Sequence, residues 1–193
     1  MATHPILYFA SPGNLSSALR QGEILSGVRR LVADPNMLAA DTLNIREILH
    51  GYAVILTQDC DPEQDFAARQ QGDVNNKWIP NILFCDVISA EQLKGDNALY
   101  STLWKEVKIN KSERYHFLQM IDEPCDKLQI GMPELGIDFK RYFSLPTDEV
   151  YKRIELRQTE RRSILASPYL EHLSHRFANF LSRVALPLDH ASQ

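Results

Sequence analysis

The stretch YAVILTQDCDPEQDF, Tyr52 to Phe66, decides how the rest of the chain is read. Tyr52 to Leu56 is an apolar run of strand length, so it predicts a buried strand. It empties directly into Asp59, Cys60, Asp61, Glu63 and Asp65, four carboxylates and a thiol where a strand meets a loop. Strand-to-loop junctions carry binding and catalytic groups because a rigid element positions an exposed one. The junction is therefore the first candidate site.

Working outward, QGEILSGVRRLV from Gln21 has a glycine at each end of its apolar part and reads as a strand leading into a turn, followed by the loop-like ADPNMLAADT. On the other side, a polar connection from Gln64 to Lys77 leads to Trp78 and to Ile82, Leu83, Phe84, Val87 and Ile88, a second buried strand. Trp104 to Ile109, Arg114 to Ile121 and Leu135 to Leu145 are further strand candidates, separated by turn formers at Asn110 to Ser112, Pro124, Gly131 and Pro133. Short strands without regular helices between them predict a small barrel or sandwich.

The period changes after Leu145. Pro146-Thr147-Asp148-Glu149 is a helix start with Thr147 as N-cap, and Val150 and Ile154 follow at i, i+4, giving a helix to about Arg162. Ser167-Pro168 repeats the signal. Leu170, Leu173, Phe177, Phe180, Leu181 and Val184 then form an apolar stripe that stops at Pro187. The opposite side presents His172, Arg176, Asn179 and Arg183, a face that is either solvated or contacts an anionic partner or nucleic acid. The fold class is α+β: residues 1–145 form a small SH3-like or β-barrel-like body, and residues 146–187 form a C-terminal helical segment packed on it.

With 193 residues and 44% hydrophobic content the chain can bury a sizeable core. No apolar run approaches the roughly 20 residues of a membrane helix, and MATHPILYFASPGN lacks a basic leader, so neither membrane insertion nor secretion is expected. Cys60, Cys85 and Cys125 are odd in number and lack CxxC spacing, which points to a reducing cytoplasm rather than to disulfides or structural zinc. Residues 1–139 carry 12 Lys/Arg against 19 Asp/Glu, whereas residues 140–183 carry 9 against 5. A basic segment in an acidic chain excludes whole-surface nucleic-acid binding but permits a local contact.

Several chemistries fit parts of DCDPEQD. A calcium loop needs glycine sixth and glutamate twelfth, and Gln64 and Gln70 stand there. Haloacid-dehalogenase phosphatases share the Asp-x-Asp, but Glu63 stands where they have threonine or valine. Cys60 as a nucleophile is opposed by the surrounding carboxylates, which disfavour a thiolate. A solvated turn or a binding loop involving Asp59, Cys60, Asp61 and Asp65 is the remaining reading. A metal reading adds Asp86 to Asp59 and Asp61. Similarity to PD-(D/E)xK nucleases extends it: Asp86 would pair with Glu106-Val107-Lys108 or Asp138-Phe139-Lys140 on a neighbouring strand around Mg²⁺ or Mn²⁺, with Lys108 or Lys140 stabilising phosphate charge. The remaining expectation is that no cofactor is needed.

The combination TQDCDPEQDF, ILFCDV, ERYHFL, DFKRYFSLP and PYLEHLSHRFANFLSRVALP resembles an uncharacterised family of small bacterial proteins, some found among mobile or defence-associated genes. More distantly, QGEIL followed by YAVILTQ is similar to the opening of SH3-like barrels of the PemK growth-inhibitor type, although His50-Gly51-Tyr52 stands where that family has Arg-Pro. The resemblance implies a barrel. The function expected is that of a cytoplasmic accessory protein of a defence or mobile-element system, which binds a protein partner, with a local nucleic-acid contact through the basic C-terminal segment. The alternative is a metal-dependent nuclease or phosphoesterase.

Overall fold

The structure, a computed structural model, describes residues 8–12, 16–34, 44–72, 76–96 and 98–183. Among the described residues, seven strands and five α-helices follow in the order β1 (Phe9–Ala10), β2 (Glu23–Ala33), β3 (Ile45–Ile55), α1 (Cys60–Gln70), β4 (Asn81–Ser89), α2 (Ala90–Asp96), α3 (Ser101–Lys108), β5 (Tyr115–Leu118), β6 (Leu135–Pro146), α4 (Thr147–Glu155), β7 (Glu160–Leu165) and α5 (Tyr169–Leu181). The strands make one sheet in the order β1-β7-β2-β3-β4-β6-β5, every neighbouring pair antiparallel.

Alternation sorts the side chains onto two faces. On the inner face Ile24, Val54, Cys85, Val87, Ile137, Phe139 and Leu165 meet Leu173, Phe177 and Phe180 of α5. Burying each such side chain contributes roughly 1.5–3 kcal/mol, so α5 is held by its stripe rather than by helix propensity. On the outer face Leu25, Ala53, Ile55, Ile82, Phe84, Phe143 and Leu145 are covered by Val150 and Ile154 of α4. Further along that face, Leu93 and Val107 of α2 and α3 cover Tyr115 and Phe117. Two apolar patches thus share the outer face.

The sheet curls but does not close. Tyr8, just before β1, donates its hydroxyl to the Phe117 carbonyl of β5 at 3.4 Å, and the Cys125 thiol donates to the Phe9 carbonyl at 3.2 Å. Those are side-chain contacts, and among the described residues no ladder joins β1 to β5. The closed SH3-like barrel expected from the sequence is therefore not formed, because the edge strands are two and four residues long and cannot both curl and pair.

The helices differ from expectation in a consistent way. α1 occupies the polar connection after Cys60, and its buried positions are Pro62, Asp65 and Ala68, so no apolar stripe advertises it. Asp61 and Glu63 sit in its first turn, where carboxylates favour the helix dipole. α3 replaces the expected strand at Trp104–Ile109: Val107 is its buried residue, whereas Ile109 is exposed. The helix after Thr147 ends at Glu155, and Glu160–Leu165 returns to the sheet as β7 between β1 and β2. Thr147 is not a cap; its buried hydroxyl donates to the Ile79 carbonyl at 2.7 Å. The α5 stripe is as expected at Leu173, Phe177 and Phe180, while Leu181 is exposed and Val184 and Pro187 lie outside the described residues. So do residues 35–42 of the loop after β2.

Beyond Gly27 and Gly51, β2 and β3 pair only with each other, from Val28↔His50 to Ala33↔Ile45. Gly27 has φ +72°, and a Cβ there would lie 2.9 Å from the Gln158 carbonyl. The alternation resets at this glycine, so that Val28 joins Leu25 on the outer face although it is three residues away.

Candidate functional site

Asp86 and the segment DFKR, Asp138 to Arg141, do meet. The β4–β6 register shifts between Cys85↔Tyr142 and Val87↔Ile137, so residues 138–141 bulge opposite Asp86. Asp86 stands on the outer face between Phe84 and Ile88, in the gap between the α4 patch and the α2–α3 patch. It is 5% exposed, and its two oxygens are 2.9 Å from His50 Nδ1 and 2.6 Å from Arg141. Asp138, 3% exposed, receives Arg114 Nε at 2.8 Å and the Lys140 backbone N–H at 3.1 Å. Both acids therefore hold arginines rather than open oxygens. Cys85, behind them on the inner face, has its thiol raised out of the titrating range by burial. The Glu106-Val107-Lys108 triplet lies on α3, which packs on β5, and so is not part of a strand, with Lys108 4.0 Å from Glu134.

The acidic junction is a second, separate network. Asp59 pairs with Arg20 through Nε at 2.7 Å and accepts the Gln21 N–H at 3.0 Å, and the Arg20 hydrogen bond holds its carboxyl below the ordinary value. Asp65 is fully buried, accepts the Ile79 N–H at 2.8 Å and Arg69 Nε at 2.6 Å, and so fastens α1 to the segment before β4. Asp61 is exposed on the first turn of α1. Cys60 is exposed, and partial desolvation with the adjoining Asp61 carboxylate raises its thiol, the opposite of what a nucleophile needs. Asp59 and Cys60 line a shallow groove of about 540 Å³ against His175 and Glu171 of α5. Among the described residues no three His, Cys, Asp or Glu side chains are grouped to hold a metal ion, and Asp59, Asp61 and Asp86 do not form one cluster.

On the basic face of α5, His172, Asn179 and Arg183 are exposed and Arg176 is half-buried. Arg176 donates to the backbone carbonyls of Asn110, Ser112 and Tyr115, clasping the turn before β5. Arg183 lies over the Phe180 ring at 4.0 Å and near Glu113. His172 is exposed, 5.6 Å from the ring of buried His116. Of the nine cations in residues 140–183, seven lie within 4.0 Å of a carboxylate, leaving Lys140 and Arg176. Most cations of that segment thus have a carboxylate partner, although Arg141, Lys152, Arg157 and Arg183 keep much of their side chains in solvent.

The concavity best shaped for a ligand was not foreseen. α1 and α4 flank an open cleft of about 760 Å³ lined by Phe66, Trp78 and Tyr151 together with the charged Arg69, Asp148 and Lys152. That volume falls in the range of ligand sites, which are apolar with a few convergent polar groups. The Arg69 guanidinium lies 4.5 Å from the Trp78 ring, is anchored by Asp65 and pairs with Asp148. Lys152 pairs with Glu155 at 2.9 Å. Trp78 Nε1 is buried and has no acceptor among the described residues. Phe66 and Tyr151 come from helices 85 residues apart in sequence, so only the placement of α1, itself hidden by its polar sequence, reveals the cleft. No helix among the described residues is long and apolar enough to cross a membrane. No family model, curated protein or solved structure matches this chain.

Proposed function

We propose that the protein is a partner-binding accessory protein whose α1–α4 cleft receives an apolar anchor side chain of a protein partner. The observation that carries the reading is the combination of an aromatic floor, Phe66, Trp78 and Tyr151, with rim charges already paired to each other. Such a rim has no unpaired charge to offer a small ion, and an apolar centre within a polar rim is how protein interfaces are built. The open antiparallel sheet is the scaffold on which α1 and α4 place this cleft. Three thiols, none of them in a disulfide, support a cytoplasmic setting. Selection from a displayed peptide library tests the reading: enriched peptides share an aromatic or large aliphatic anchor and lose binding with Phe66→Ala. Absence of enrichment, or binding indifferent to Phe66, overturns it.

A metal-dependent phosphodiester hydrolase is a second reading, favoured by Asp86 facing Asp138-x-Lys140 across β4 and β6. It requires Arg114, Arg141 and His50 to yield carboxylate oxygens to Mg²⁺ or Mn²⁺. A thermal shift with either ion that is lost in Asp138→Asn supports this reading; no shift removes it.

A further inference from the structure

The outer face of the sheet carries a strip of arginines that the cleft does not use. In the sheet order β2-β3-β4-β6-β5, five successive elements each contribute to it: Arg30 on β2, His50 on β3, Asp86 on β4, Asp138, Lys140 and Arg141 in the β6 bulge, and Arg114 immediately before β5. Four interstrand spacings of about 4.8 Å make the strip about 19 Å long. It follows the gap between the two helix-covered patches, so among the described residues no helix of the outer face roofs it.

The chemistry of the strip is asymmetric. Its carboxylates are buried while its cations reach solvent: the Arg141 side chain is 47% exposed and that of Arg114 34%. A guanidinium has five N–H donors in a rigid fork, so the bond from Arg141 to buried Asp86 fixes the orientation of a side chain that is still half in solvent. Lys140 is exposed beside them. Arg30 lies over the Phe143 ring, 5.2 Å from its centroid, and its Nε–H is buried with no acceptor among the described residues. Four cations face two acids, and one donor lacks its oxygen. A chain of −4 net charge has placed this local excess on one open strip.

We propose that this strip binds the phosphodiester backbone of a nucleic-acid strand laid across the sheet, through phosphate oxygens and without reading bases. Length decides against a single small anion. One phosphate contacts one or two of these cations, whereas a polyanion reaches all four and releases counterions at each. Fixed guanidinium forks match phosphate oxygens in pairs. The inference is independent of the cleft and its partner.

The test is fluorescence anisotropy with a labelled 20-nucleotide single strand of mixed sequence, in EDTA, from 50 to 200 mM KCl. Saturable binding is expected at 50 mM, weakening with salt, and little changed when the sequence is permuted. Lys140→Glu and Arg30→Gln, neither of which breaks an ion pair, each weaken binding about tenfold and flatten the salt dependence by about 0.7 in log–log slope. Lys152→Glu, at the cleft rim, leaves binding unchanged. Arg141→Gln is the direct variant, but it strands a buried Asp86, so its thermal melt is recorded alongside. Three results overturn the proposal: no saturable binding at 50 mM KCl, equal binding by wild type and both Lys140→Glu and Arg30→Gln, or equal competition by polyglutamate. Complete displacement by millimolar inorganic phosphate overturns it too, since the ligand would then be the free anion.

Discussion

Arg161 of β7 grips Glu23 of β2 across the ladder that joins them, NH2 2.8 Å from Oε2, with both side chains sealed from solvent. The guanidinium also donates to the Ser17 and Ala18 carbonyls at 2.9 and 3.0 Å, and so ties the segment before β2 to the sheet. The next residue, Arg162, points to the other face and makes an equivalent pair with buried Asp126. Removing one member of such a pair leaves an uncompensated buried charge, which costs about 3–5 kcal/mol. Glu23→Ala is expected to lower stability by that amount in urea titrations, while Arg161→Met with Glu23→Leu recovers most of it.

A smaller loss is expected at Arg176, for a different reason. Its three backbone acceptors hold α5 to the turn at Asn110–Tyr115. Hydrogen bonds from a charged donor contribute about 1.5–3 kcal/mol. Arg176→Ala should therefore lower the melting temperature by roughly 5–10 °C at this chain length. Arg183→Ala, whose partners are a neighbouring ring and a distant carboxylate, should lower it by no more than about 2 °C.

Gly27 fixes where the β2–β3 ribbon changes face. Gly27→Ala must hold φ +72° and push against the Gln158 carbonyl, a strain of about 1–3 kcal/mol. Differential scanning calorimetry is expected to show that loss, and Gly51→Ala, where nothing lies within 4 Å of the added Cβ, is expected to show little.

His116 of β5 makes stability depend on pH. It is buried beneath α5 with both ring nitrogens unpartnered among the described residues. Burial, then Arg176 and His172 facing it from α5, depress its pKa well below the ordinary value, while Phe139 of β6 is apolar. A depressed histidine is neutral in the folded protein, so the unfolded chain binds the extra proton. Stability is complete above the unfolded pKa of about 6.5 and falls as pH drops below it. Below that pH this residue lowers stability progressively, and His172, shifted the same way, acts in the same direction. In His116→Leu the His116 part of the difference between pH 7.5 and pH 5.5 should vanish.

Where apolar residues alternate or recur every three to four positions, the sequence announces the element. β2, the part of β3 from Tyr52, β4, β6 and the α5 stripe are legible for that reason, whereas Ile45–Gly51 of β3 is not. α1 is not, because its buried face is Pro62, Asp65 and Ala68, and a charge at its centre is satisfied only by Arg69 and the Ile79 N–H after folding. α3 imitates a strand because Trp104, Val107 and Ile109 admit both periods over so short a segment. The same limit governs the sites. The juxtaposition of Asp86 with Asp138-x-Lys140 is visible as a pattern, but that Arg141 of the same segment would occupy Asp86, and Arg114 occupy Asp138, is not. The aromatic cleft follows from α1 and leaves no local signature at all.

The cleft is the central claim, and Trp78 reports on it directly. In a Trp104→Phe background, which removes the tryptophan packed on Phe117, titration with a selected anchor peptide should change Trp78 emission saturably, with the change abolished by Phe66→Ala. Unchanged Trp78 emission while the peptide binds would place the partner elsewhere and contradict the account.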